Sequence, residues 1–435
     1  MKFDRSHLLR SLAHSLIPGG SHTYAKGDDQ YPIESPGFIS RGEGSHVWDV
    51  DDNEFIEYGM GMRSVSLGHG HPAVAEAAYK EMRRGANFTR PSPIEIESAK
   101  EFLDIIAGAE MVKFSKNGSD VTSAAVRLSR AYTGRDLIAV CKDQPFFSVD
   151  DWFIGSTPMR AGIPKAIQNL TVSFEYNNIR SVRDLFERWP RQIACLIMEA
   201  EKEVEPGSGF LQEVVHLCHE HGTVFVLDEM ITGFRWHLGG AQRFYGLNPD
   251  LSTFGKALGN GFSVAALAGK REIMRLGGIE HDSDRVFLLS YTHGAETHAL
   301  AAAREVMRIY KKELVIEALW EKGALLRKGI EQVIATHGMA EWFQVTGRPC
   351  CLAYATLDEQ RKPSQKYRTL FLQEIIKRGI LAPSFVVSYA HTVEDINRTI
   401  EAVDGTMAIY RKALEGNIDQ MLEGRSVKPV FRCRN

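Results

Sequence analysis

A chain of 435 residues with 44% hydrophobic and 25% charged residues has the composition of an ordinary globular protein, long enough for a large domain plus a smaller one. Its net charge of −3 and pI near 6.6 argue against the basic surface that nucleic acid or an anionic membrane would demand. Its six cysteines (Cys141, Cys195, Cys218, Cys350, Cys351 and Cys433) show neither metal-ligand spacing nor a paired framework, which suits reduced thiols in a cytoplasmic protein without a metal.

The opening MKFDRSHLLRSLAHSLIPGG carries charges through its first half and lacks the apolar run of a signal peptide or membrane span. Leu8, Leu9, Leu12 and Leu16 recur at helical spacing and predict a short amphipathic helix whose stripe needs a partner surface. Strand-like runs follow at 38–39, 46–50 and 54–58, the last two joined by the turn Asp51-Asp52-Asn53. Gly68-His69-Gly70-His71-Pro72 then opens a helix over 73–84, and its histidines read as a turn held by side-chain hydrogen bonds.

A strand at 112–114 leads through the tight turn Asn117-Gly118-Ser119 into a helix over 121–132. A turn of small residues at a helix start presents free N–H groups and the positive end of the dipole. That suits a phosphate, and equally an ordinary helix cap. A buried strand at 137–141 is followed by Asp143-Gln144-Pro145-Phe146-Phe147-Ser148. The loop VDDWFIG over 149–155 comes next, either packed on the surface or walling a substrate pocket.

A strand at 193–198 ending on Glu199, a helix at 211–221 and a strand at 224–227 ending on Asp228 form one crossover. Such alternation from about residue 100 to 270 predicts an α/β fold with a mainly parallel sheet between helices. Asp228 falls at a strand's carboxyl end, where open α/β sheets bind ligands. Lys256 lies in Phe-Gly-Lys-Ala-Leu-Gly-Asn-Gly, with little bulk around its amine. Pyridoxal 5'-phosphate (PLP) needs these two groups, a lysine for the Schiff base and a carboxylate to keep the pyridine nitrogen protonated. Each alone is commonplace, since strand-end carboxylates and surface lysines abound.

Beyond 306, helices are predicted over 315–337, 367–378 and 392–414, with short strands at 344–346 and 351–355. The last residues, 422–435, read as a tail lying on the surface.

The strings Asp228-Glu229-Met230-Ile231-Thr232-Gly233-Phe234-Arg235 and Gly255-Lys256-Ala257-Leu258-Gly259-Asn260-Gly261 resemble segments of the class III aminotransferases, in particular the glutamate-1-semialdehyde aminomutase-like branch. The resemblance runs from about residue 18 to 400 and implies a fold type I PLP-dependent transferase. Its large cofactor-binding domain would span 61–305, and a small α+β domain would combine 1–60 with 306–435. It further implies that Lys256 carries the cofactor and Asp228 faces the ring nitrogen. Asn117, Gly118 and Ser119 would hold the phosphate. Phe146 or Phe147 would stack on the ring, although the family's His-Gly after that aromatic is missing. Glu199 would lie near the cofactor, in Glu199-Ala200-Glu201 where the family has Glu-Pro. Thr292 would reach the phosphate of a partner subunit, which implies a homodimer.

The chain departs from the mutases where their substrate binds. The arginine that follows Pro-Gly-Gly there is replaced by Thr23-Tyr24-Ala25-Lys26, and Ser-Trp by Gly61-Met62-Arg63-Ser64. A glutamate-bearing loop is shortened between Ala382-Pro383-Ser384 and Ala390-His391-Thr392. Lysine pairs with an anion but lacks the bidentate fork of arginine. These losses favour an aminotransferase that takes its amino group from an amino acid donor. The pocket candidates Lys26, Arg63, Asp150, Asp151, Trp152, Tyr291, His293 and Glu296 are mostly polar and suit a small polar carbonyl acceptor, such as a sugar-type precursor of surface polysaccharide. Two alternatives stand beside it. One is glutamate-1-semialdehyde 2,1-aminomutase, giving 5-aminolevulinate. The other is a catalytically silent PLP-fold binding protein, which intact Asp228 and Lys256 disfavour.

Overall fold

The computed structural model describes residues 1–142, 146–201 and 203–433, so Asp143, Gln144 and Pro145 of the aromatic segment lie outside the described residues. The chain divides into two compact units, Pro72–Ile316 and Met1–His71 with Glu317–Asn435. Both boundaries fall later in the chain than 60/61 and 305/306. Residues 61–71 stay with the N-terminal strands because His69 and Gly44 exchange backbone bonds of 2.8 and 2.9 Å. His69 Nε2 also pairs with Glu57 Oε2 at 3.0 Å, the structural turn expected of this histidine.

The first unit opens with helix α1 (Asp4–Leu16), whose buried residues are Ser6 and Ala13. Its stripe of Leu8, Leu12 and Leu16 faces outward, 74, 53 and 71% exposed. Strands β1 (Ile39–Glu43), β2 (His46–Asp49) and β3 (Glu54–Glu57) follow as an antiparallel meander. Asp49 Oδ1 fixes the second turn by accepting the N–H groups of Asp51 and Asn53.

The second unit begins with α2 (Pro72–Met82) and α3 (Pro93–Ile105), the latter started by a Ser92–Glu95 capping box. Then come β4 (Met111–Ser115), α4 (Gly118–Thr133), β5 (Leu137–Cys141), β6 (Thr171–Phe174) and α5 (Ile179–Arg188). Next are β7 (Ile193–Glu199), α6 (Phe210–Glu220), β8 (Val224–Asp228), the short α7 (Gly240–Phe244), β9 (Leu251–Phe254), β10 (Ala265–Gly269) and α8 (Thr297–Lys312). They build a 7-stranded sheet in the order β4-β10-β9-β8-β7-β5-β6. Five of its strands, β9 through β6 in that order, are parallel, and β10 runs antiparallel to both neighbours.

Every residue of β5, β7, β8, β9 and β10 is buried, as continuous apolar strands covered on both faces require. One face packs Leu196, Met198, Phe225 and Leu227 against Val182, Phe186, Val214 and Leu217 of α5 and α6. Each such side chain contributes about 1.5–3 kcal/mol by leaving water. The sheet is thereby rigid where β7, β8 and β9 end, and those ends carry the site.

The chain then returns to the first unit, whose elements from here are α9 (Val315–Thr336), β11 (Phe343–Thr346), β12 (Ala353–Thr356), α10 (Gln365–Lys377), β13 (Ile380–Leu381) and α11 (Val393–Glu415). Strand β13 pairs in parallel with β3 and completes a 4-stranded sheet. The tail corrects the sequence expectation. Val427 is buried with Phe3, Val47, Phe55, Leu372 and Ile376, and its N–H bonds Thr369 Oγ1 at 2.9 Å. Arg425, Lys428 and Arg432 around this one apolar residue hide it in the sequence, because they look like surface although Arg425 and Arg432 reach Asp28 and Asp29. None of the six cysteines is in a disulfide, Cys433 being exposed and the rest buried. Among the described residues no helix is long and apolar enough to cross a membrane.

Candidate active site

Strands β7 and β8 end side by side, with Glu199 in register with Asp228, and Asp228 in register with Thr253 of β9. Asp228 is 1% exposed, and its Oδ1 accepts the Met230 N–H at 2.9 Å and the Thr253 hydroxyl at 3.1 Å. Burial pushes its carboxyl up, and the Lys256 ammonium pulls it back toward ionisation. Lys256 begins a 3₁₀ turn, Lys256–Gly259, directly after β9 and holds a left-handed φ of 44°. A non-glycine residue in that region is uncommon and clusters at functional sites. Buried Glu199 lies beside them at the end of β7.

The phosphate turn reaches the same place. Met230, two residues past Asp228, sits where a Cβ added to Gly118 would lie 3.0 Å from its sulfur and one added to Gly255 2.8 Å. A side chain at either glycine would make the Met230 thioether move aside. Asn117 caps α4 by accepting the Asp120 N–H at 3.2 Å, and the Asp120 carboxylate takes the N–H groups of Lys116 and Asn117 and the Ser115 hydroxyl. The N–H groups of Gly118 and Ser119 are those that such a helix start presents to an anion.

The aromatic loop is laced to the same helix. Ser119 Oγ accepts the Val149 N–H at 3.1 Å, and Thr122 Oγ1 donates to the Phe147 carbonyl at 2.7 Å. Ser123 Oγ bonds Ser148 Oγ at 2.9 Å and accepts the Trp152 indole N–H at 2.8 Å. Trp152 is thus a buried brace of this loop. Phe147 is 3% exposed and packs edge-on against Phe153. Phe146 meets the same ring edge-on and is 45% exposed.

The remaining candidates lie apart from Asp228 in role. Thr292 is exposed, its carbonyl accepting the Asn87 amide at 2.9 Å. Tyr291 is 51% exposed; partial burial raises its phenol, with the Asp120 and Asp150 charges adding to it. His293 and Lys116 both pair with Glu296, and the Lys116 bond holds its carboxyl below the usual range. Lys26 and Arg63 belong to the other unit. Lys26 is exposed at the end of a 3₁₀ turn, Tyr24–Lys26. Arg63 ends a left-handed turn in which Met60, Gly61, Met62 and Arg63 have φ of 42, 56, 58 and 70°. Left-handed turns cost roughly 1–2 kcal/mol per non-glycine residue, so this one is held by its surroundings.

Sequence reasoning passed over Glu229, Met230 and Thr253. Glu229 is fully buried and accepts the Thr232 hydroxyl and the N–H groups of Ala241 and Gln242, the latter two at 2.8 and 2.7 Å. It ties the end of β8 to α7 and so fixes the direction in which Asp228 leaves the strand. Its place beside Asp228 was the available signal, but its partners lie beyond a loop that the sequence does not fold.

The family model described as aminotransferase class-III matches residues 24–385. The chain belongs to the class III aminotransferases. It is 32% identical to the glutamate-1-semialdehyde 2,1-aminomutase of Sulfurihydrogenibium azorense over 92% of this chain and 98% of that protein. The same identity holds for the aminomutase of Persephonella marina, over 93 and 98%. Among solved structures, the FumI protein of Sphingopyxis sp. MTA144 in its PLP internal aldimine form superposes with a TM-score of 0.86 at 28% identity, covering 94% of this chain and 97% of that one. A class III enzyme of fold type I uses pyridoxal phosphate, and the residues present fit it. A lysine and a buried carboxylate interact at adjacent strand ends, with a glycine-opened helix start drawn in by Met230.

Proposed function

We propose that the chain moves an amino group within a single small substrate, in the manner of a glutamate-1-semialdehyde 2,1-aminomutase. The observation that carries this reading is the match to aminomutases over nearly the full length of both chains. It displaces the sugar-type aminotransferase as the leading reading, though transfer to a separate acceptor remains favoured by Thr23-Tyr24-Ala25-Lys26 and Gly61-Met62-Arg63-Ser64 in the segments where mutases carry their substrate groups.

In either case the same residues act. Bound pyridoxal phosphate supplies an electron sink as a proton leaves the amino carbon. Lys256 would hold the cofactor, and its amine is the group that would carry a proton between neighbouring substrate atoms. Asp228 would face the ring nitrogen as a carboxylate and keep it protonated, its Oδ1 fixed by Met230 and Thr253. The N–H groups of Gly118 and Ser119 would hold the phosphate, Phe146 would cover the ring and Glu199 would border it. Thr292 completes the phosphate site of a second subunit, so the working enzyme is a homodimer. Thiols that are mostly buried and not joined in disulfides suit the reducing cytoplasm.

The test supplies glutamate 1-semialdehyde to purified enzyme with no added amino donor and follows 5-aminolevulinate. Sustained formation supports the mutase. A cofactor that is instead converted by an amino acid donor and restored only by a separate carbonyl compound moves the assignment to the aminotransferase.

A further inference from the structure

Lys116 stands immediately before the phosphate turn. Its ammonium pairs with Glu296 Oε2, the residue that precedes α8 and lies in the loop of Thr292. Glu296 Oε1 takes His293 Nδ1 at 2.9 Å, and the His298 ring stands 3.8 Å from Oε2. The Lys116 carbonyl accepts the Ser263 hydroxyl at 2.8 Å, from the stretch that follows Lys256. One residue therefore joins three segments, the phosphate turn, the Lys256 loop and the Thr292 loop. Both partners are largely shielded, with side chains 25 and 16% exposed, so water screens the pair only in part.

We infer that the Lys116–Glu296 ion pair is a positioning clamp for the cofactor's phosphate. The proposal rests on the reading of Gly118 and Ser119 as phosphate ligands. Lys116 invites another role, a cation beside an anion site, but its ammonium is committed to a carboxylate that stays ionised. What the pair delivers is geometry. It holds the backbone just ahead of Gly118 at a set distance from the loop at 292–296, and so fixes where the helix start aims its N–H groups. The capping box and Met230 brace the turn against its own helix and strand, whereas the ion pair is the side-chain bond that ties it to the loop at 292–296, and misplaced donors lose most of a charge-assisted bond.

The experiment titrates the apoenzyme with pyridoxal 5'-phosphate and, separately, with pyridoxal, which lacks the phosphate. Lys116→Met and Glu296→Gln should each raise the Kd for pyridoxal 5'-phosphate about tenfold, the equivalent of one charge-assisted hydrogen bond. The Kd for pyridoxal should stay within about twofold of wild type in both variants, since that ligand never uses the turn. The exchanged double variant, Lys116→Glu with Glu296→Lys, should recover most of the lost affinity because it rebuilds the pair in reverse. Unchanged phosphate-ester affinity in the single variants would overturn the clamp, as would equal weakening of both ligands. An exchanged variant as weak as Lys116→Met would show Lys116 to be a direct phosphate ligand and overturn it too. A wild-type apoenzyme that does not favour the phosphate ester over pyridoxal would defeat the phosphate-turn reading, and the clamp with it.

Discussion

Asp228→Asn is the substitution that isolates the carboxylate's charge from its shape. Asparagine has the same outline, and its carbonyl oxygen can accept the two bonds that Oδ1 takes from Met230 and Thr253. The strand end should persist, with a melting temperature close to wild type. The other position then becomes an amide NH₂, a donor aimed where an acceptor for a pyridinium N–H is needed. Losing a charge-assisted hydrogen bond costs about 1.5–3 kcal/mol. Because Asp228 is fully buried, the figure moves toward the roughly 3–5 kcal/mol found when one member of a buried ion pair is removed. At about 1.4 kcal/mol per power of ten, single-turnover amino transfer should slow by roughly a hundred- to a few thousand-fold. Cofactor retained on the variant, followed by absorbance, separates this loss from a failure to bind. Single-turnover rates within about threefold of wild type on fully loaded Asp228→Asn would refute the reasoning and assign the ring nitrogen to another partner.

Lys256→Ala should leave no cofactor fixed by borohydride, and peptide mapping of the reduced wild type should find it on Lys256; a label on Lys270 would sink the assignment. Phe147→Ala should lower stability by about 3–5 kcal/mol as a buried aromatic is removed. Phe146→Ala should instead leave the melting temperature nearly unchanged and weaken cofactor binding, and the opposite pattern would exchange their roles. Burial pushes the Glu229 carboxyl up to about 7 from an ordinary 4.5. Its folded value lies above its unfolded one, so its stabilising share is complete below about pH 4.5 and is lost as pH rises through 7. The wild-type advantage over Glu229→Gln in melting temperature should therefore shrink between pH 5 and 8 on the order of that shift, and an advantage that grows would show its three hydrogen bonds outweighing burial. Sedimentation should show a dimer, and a fully active monomer would remove the role given to Thr292.

Local chemistry was legible in the sequence. A β-branched run that stops at Asp228 already implies a covered strand and a carboxylate at its end, because pattern and length report burial on both faces. Gly118 after Asn117 implies a capped helix start, and the structure places a capping box there. Lys256 among glycines and the departures at Lys26 and Arg63 were likewise readable as strings. What the string could not carry is which distant segments meet. That Met230 lies against both Gly118 and Gly255 depends on β10 inserting antiparallel between β4 and β9, a long-range pairing with no local signature. That Phe147 is buried and Phe146 is not depends on Thr122 capturing one carbonyl, since the two rings are chemically identical. Val427 looked like tail because it stands in a short run with Arg425 and Lys428; only the packing of Phe3, Phe55 and Leu372 makes a hole for it. His293 and Glu296 read as pocket groups in the sequence, and the fold adds that Lys116 and His293 both pair with Glu296. Residue type sets what a group can do, but its charge state and partner are set by neighbours that only the closed fold supplies.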